Sequence, residues 1–86
     1  IAGAAFKGNL PVVKALIDGG APVDATSPDG RTALMLAAMF NRVEMVDYLL
    51  GQGANPKAVD AQGATALAAA QTMGAADTAA RLQKLV

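Results

Sequence analysis

The fold is decided by Ser27-Pro28-Asp29-Gly30-Arg31-Thr32-Ala33-Leu34-Met35-Leu36-Ala37-Ala38 and its continuation through Val43-Glu44-Met45-Val46 to Leu49-Leu50-Gly51-Gln52-Gly53-Ala54-Asn55-Pro56. Asp29-Gly30 supplies turn residues, and Thr32 is a helix-opening cap. The short helix that follows presents Leu34, Ala37 and Ala38 on one face. A second helix, from about Val43 to Gln52, turns Val43, Val46, Leu49 and Leu50 inward with Met45 beside them, and leaves Arg42, Glu44 and Asp47 to water. Gly53 ends it at a place that needs a positive φ, and Pro56 prevents its resumption. A unit this small cannot bury its own apolar face, so it becomes stable only by stacking on others like it.

Such units are present on both sides, displaced by 33 residues. Upstream, Ala4-Ala5 fall on Ala37-Ala38, Val13 on Val46, Leu16 on Leu49, Gly20-Ala21 on Gly53-Ala54 and Ala25 on Ala58. Asn9 is placed to cap that unit's second helix, with Pro11 in its first turn, and Val12, Val13, Leu16 and Ile17 are expected to form one buried stripe. The turn and the first half of the first helix have no counterpart before Ile1, so the chain is expected to begin inside a repeat. Downstream, Gly63, Thr65, Ala66, Leu67 and Ala70 repeat Gly30, Thr32, Ala33, Leu34 and Ala37. The last helix, Ala75 to about Leu85, keeps Leu82 at the Leu49 position but is otherwise alanine-rich, which suits an end unit with one face toward solvent. The divisions expected are a partial repeat over 1–26, a complete one over 27–59 and a capping one over 60–86.

Composition agrees with short helices packed closely. Of 86 residues, 21 are Ala and three are aromatic, so the core is built from small contacts. Seven basic and seven acidic residues cancel without any run of like charge, which is not the footprint of a nucleic-acid or anionic-membrane binder. No apolar run approaches the roughly 18 residues of a membrane span. The chain has no Cys and no His, which removes disulfides, thiolate chemistry, the usual zinc ligands and the commonest general base. A cysteine-free chain has the cytoplasm as its default compartment and suits a periplasm equally.

These motifs resemble the ankyrin repeat over essentially the whole chain, as about two and a half repeats. The run Asp29 to Ala38, then Val43 to Val46 and Leu49 to Asn55, follows that pattern in order. The resemblance implies an all-α solenoid of helix pairs joined by β-hairpin loops, with a concave face. Where the family has Thr-Pro-Leu-His, this chain has Thr32-Ala33-Leu34-Met35 and Thr65-Ala66-Leu67-Ala68, and the Gly between the helices is Asn41. The resemblance also implies that the two positions after the paired Ala line the concave face. Here these are Phe6-Lys7, Met39-Phe40 and Thr72-Met73, joined at the loop tips by Pro28, Asp29, Arg31, Ala61, Gln62 and Ala64, with Thr26 and Val59 leading into the loops.

Nothing catalytic accompanies that surface. Glu44 and Asp47 lie one turn apart but on a solvent face without a nucleophile or a third ligand. Gly19-Gly20 and Asp29-Gly30 are a helix stop and a hairpin turn, not phosphate loops, because no strand precedes them and no Lys-Ser/Thr follows. Met35, Met39, Met45 and Met73 have the helical spacing of packing residues more than of soft-metal ligands. The reading is therefore a non-enzymatic module that binds a partner protein, with no cofactor, small-molecule substrate, nucleic acid or membrane expected. The alternative is a structural segment of a longer array, packing mainly within its own protein.

Overall fold

The computed structural model describes residues 8–27 and 30–84. Among them five helices follow one another: α1 (Leu10–Asp18), α2 (Ala33–Met39), α3 (Val43–Gly51), α4 (Ala66–Thr72) and α5 (Ala76–Gln83). Two antiparallel bridges, Thr26 with Thr32 and Val59 with Thr65, pinch the connections into α2 and α4 into hairpin loops. The architecture is the all-α array of helix pairs expected from the sequence. None of the helices among the described residues is long and apolar enough to cross a membrane.

The helix starts and stops follow from local chemistry. Thr32 and Thr65 each accept the N–H three residues on, from Met35 at 3.3 Å and Ala68 at 3.2 Å, which satisfies a donor the helix itself leaves orphaned. At Thr32 the exchange is reciprocal, since its own N–H donates to the Met35 sulfur at 3.5 Å. Met35, standing where the resemblance implies His, thus retains a weak acceptor at the cap. At the other end of α3, Ala54 N–H bonds to Leu49 C=O at 3.0 Å and Gly53 N–H to Leu50 C=O at 3.1 Å, a Schellman closure with Gly53 at φ 92°. The same paired closure ends α2, with Asn41 at φ 58°.

Helices α2 and α4 pack side by side as one row, α3 and α5 as a second, and α2–α3 and α4–α5 are the antiparallel pairs. Ala33, Ala37, Ala38, Ala66 and Ala70 are all buried, so the first row approaches without large side chains, while Leu34, Met35, Met45, Val46, Leu49 and Leu82 fill the space behind it. Polar links cross from one unit to the next. The Asn41 side-chain oxygen accepts the N–H groups of Asp77 and Thr78 at 3.2 Å each, and its amide donates to Asp77 Oδ2 at 3.4 Å. The buried Thr78 hydroxyl donates to Ala38 C=O at 2.7 Å, and Asp24 Oδ1 accepts Asn55 N–H at 3.0 Å. On the outer surface Arg81 pairs with Asp47 at 2.9 Å, and the Lys14 ammonium lies 5.5 Å from the Tyr48 ring centre.

Some sequence expectations need correction. Of the stripe predicted on α1, Val13 is buried and Ile17 half-buried, but Val12 and Leu16 are 42% and 40% exposed. Their counterparts Met45 and Leu49 are 2% and 0% exposed. Periodicity fixes which residues share a face, whereas burial requires a neighbour over that face. Asn9 sits at the N-cap of α1, yet its side chain makes no capping bond, because its backbone (φ −86°, ψ 77°) is outside the extended region that aims a cap at the helix. Val43 and Leu50 are half-buried rather than fully inward, and the last helix is shorter than expected at each end where described.

Candidate functional site

The hairpin loops and the ends of α2 and α4 meet around a pocket of about 190 Å³ lined by Arg31, Met39, Asp60, Gln62, Ala64, Ala69, Thr72 and Met73. Its shape comes from the register of the repeat. Met39 and Thr72 are the last residues of α2 and α4, and Met73 follows as the C-cap of α4. Arg31 precedes the cap of α2, and Ala64 stands at the corresponding place before Thr65. The 33-residue offset therefore delivers equivalent positions of adjacent units to the same place.

Asp60 holds the loop side of the pocket. Its Oδ1 accepts the N–H groups of Gln62 at 2.8 Å and Ala64 at 3.0 Å, a turn in which the side chain replaces a backbone acceptor. Its other oxygen lies 3.8 Å from Arg31 Nε on the neighbouring loop. The Asp60 side chain is 8% exposed and that of Arg31 34%, so the pair is anchored from the anionic side. The two loops are also in direct contact: a Cβ on Gly30 (φ 79°) would come within 3.0 Å of Ala61 N. Gly30 is thus required both for its turn and for that approach.

Of the residues singled out from the sequence, Arg31, Met39, Gln62, Thr72 and Met73 meet at this pocket. Phe40 is 37% exposed at the C-cap of α2 and does not line it; its counterpart one unit on, Met73, is 51% exposed and does. Phe6, Lys7, Pro28 and Asp29 lie outside the described residues. Neighbouring Leu34 and Ala38 are fully buried, as are Met35 and Met45 to within 2%. Asp60 and Ala69 line the pocket without belonging to the predicted set, whereas Ala64 lines it as one of the expected loop-tip positions. Asp60 carried a usable signal, an Asp opening a tight turn before Gly63, while the small Ala69 gave none.

The arrangement offers apolar contact and an ion pair. Among the described residues no three carboxylates gather as a metal site, and the exposed Glu44 and Asp47 remain on the opposite, outer helix. A separate depression of about 220 Å³, by Gly8, Leu10, Arg42, Val43, Glu44 and Met45, shares none of the predicted site residues.

Comparison with known proteins is consistent with this geometry. The family model for ankyrin repeats in three copies matches residues 1–84. The ankyrin repeat, SAM and basic leucine zipper domain-containing protein 1 of Ovis aries is 46% identical over 48 residues, covering 56% of this chain and 10% of that protein. The inactive serine/threonine-protein kinase TEX14 of Mus musculus is 34% identical over 70 residues, covering 81% of this chain and 5% of that protein. The Bos taurus kinase of the same name is 37% identical over 68 residues, 79% of this chain and 5% of its own length. The chain therefore spans a tenth or less of these relatives.

Proposed function

The chain belongs to the ankyrin-repeat family, whose members are generally protein-interaction modules and typically not catalysts, and from that premise we propose that it binds a partner protein through the face formed by the loop tips and the ends of the first helices. The observation that carries this reading is the exposure of Phe40 and Met73 at equivalent positions of adjacent units, while Leu34 and Ala38 of the helix that Phe40 ends are buried. Large apolar groups kept outside a core, side by side, are what partner surfaces use as anchors. Arg31 and Gln62 add a polar rim.

The test is a capture experiment with the whole chain, followed by measurement of affinity and stability on the same variant. Phe40→Ala weakens the partner complex by about tenfold or more, the loss typical of a central anchor, and leaves the unfolding midpoint nearly unchanged. If it destabilises the fold as strongly as Leu49→Ala while affinity per folded molecule stays constant, Phe40 is a packing residue and the reading fails. One observation favours a second reading, in which the chain is a structural segment of a longer array. Val12 and Leu16 are exposed where Met45 and Leu49 are covered, so that face of α1 is suited to packing against a further element.

A further inference from the structure

We propose that the pocket between the two hairpin loops is a socket for one uncharged, apolar side chain, of leucine, methionine or phenylalanine size, presented by a protein segment. The inference rests on the interaction reading above and names the chemistry of the group it takes.

Size is the first argument. The pocket holds about 190 Å³, whereas sites for drug-sized ligands or cofactors run to about 300–1,000 Å³. A volume of this order admits a single side chain. Charge is the second. Among the described residues one cation and one anion line the pocket, and they already face each other, Arg31 Nε to Asp60 Oδ2 at 3.8 Å. The remaining Asp60 oxygen is committed to the Gln62 and Ala64 N–H groups. A charged group entering here is stripped of water without gaining an unengaged counter-charge, which is unfavourable. An apolar group loses water at a gain. The third argument is the apolar part of the lining, to which Met39, Met73, Ala64 and Ala69 contribute. Methionine side chains are unbranched and polarisable, so they adjust to whichever apolar shape arrives. Met73 is 51% exposed, so its side chain stays in contact with water until it is covered. Gln62 stands at the rim with an amide that can both donate to and accept from the backbone of the segment carrying the anchor.

The four methionines make the test direct. In the full chain labelled with methyl-¹³C methionine, Met39 and Met73 report on the socket, and Met35 and Met45, each 2% exposed, are internal controls. The probes are N-acetyl-leucinamide and N-acetyl-phenylalaninamide, against N-acetyl-glutamic acid amide and N-acetyl-lysinamide. The apolar probes shift the Met39 and Met73 methyl signals in a saturable way and leave Met35 and Met45 in place, and the charged probes move none of the four. Ala69→Leu, which fills the socket from α4, weakens the apolar response about tenfold, as expected when burial of one side chain is prevented. Met73→Ala, which removes one wall from an exposed position, weakens the response at Met39 without altering the helical signal.

The inference is overturned if charged and apolar probes act equally, if Met35 and Met45 move together with the other two, or if neither apolar probe acts at its solubility limit. When the probes fail while Phe40→Ala still weakens capture of a partner, the socket is wrong and the interaction reading stands. Failure of both removes the reading itself.

Discussion

Asn41 is expected to hold two repeat units together by capping a helix that is not its own. Helix α5 begins after Ala75, which has no capping side chain, and the N–H groups of Asp77 and Thr78 are donated instead to the Asn41 oxygen of the preceding unit. Asn41→Gly separates this role from backbone conformation. Glycine accepts the φ of 58° readily, as Gly74 does at 71° at the equivalent position of the next unit. The cap is lost, at about 1 kcal/mol within a range of 0.5–2. The unfolded chain gains freedom, at about 0.4–1 kcal/mol more. Relief of strain offsets little of this, because Asn visits the left-handed region routinely. The net is a destabilisation of about 1–2 kcal/mol by urea unfolding, and each kcal/mol corresponds to roughly 4–8 °C in Tm for a domain of this size. Asn41→Ala adds backbone strain of about 1–2 kcal/mol and falls further. Amide exchange at Asp77 and Thr78 accelerates in both variants, while exchange in α2 changes less. A glycine variant as stable as the parent refutes the reasoning, since Asn41 is then present for its backbone angle alone.

Leu49→Ala costs about 2–5 kcal/mol, and Leu16→Ala, at the same repeat position but 40% exposed, costs roughly 1 kcal/mol or less; equal values by urea unfolding contradict the difference in burial. Gly30→Ala is more destabilising than Gly63→Ala although both glycines have φ near 80°, because only at Gly30 does the added Cβ meet a neighbouring backbone, Ala61 N at 3.0 Å. The strain common to both is about 1–2 kcal/mol, so matching thermal shifts mean that the loops separate freely. Arg81→Ala changes stability by no more than about 0.5 kcal/mol, because its pairing with Asp47 is a surface ion pair, 51% and 44% exposed; a larger effect, or one insensitive to salt, argues for a network there.

The sequence by itself determined the repeat, its period, the Thr caps of α2 and α4 and the glycine stop of α3. Those features are local: a Thr three residues before a free N–H, or a Gly where φ must be positive, acts through its own backbone. The fixed offset accounts for Met39 meeting Thr72 and Arg31 meeting Ala64 at one pocket, since it carries equivalent positions onto one face, but not for Met73 lining it without its counterpart Phe40. The tertiary structure alone decided what lies over each face. Val12 and Leu16 have the spacing of Met45 and Leu49, yet one pair is exposed and the other buried, because burial is a property of the neighbour and not of the helix that carries the side chain. The same holds for the bond from Asn41 to α5, for the buried Thr78 hydroxyl on Ala38 C=O and for the Asp60 carboxylate facing Arg31 of the neighbouring loop. Each joins groups on different units, at a distance and angle set only when helix pairs stack.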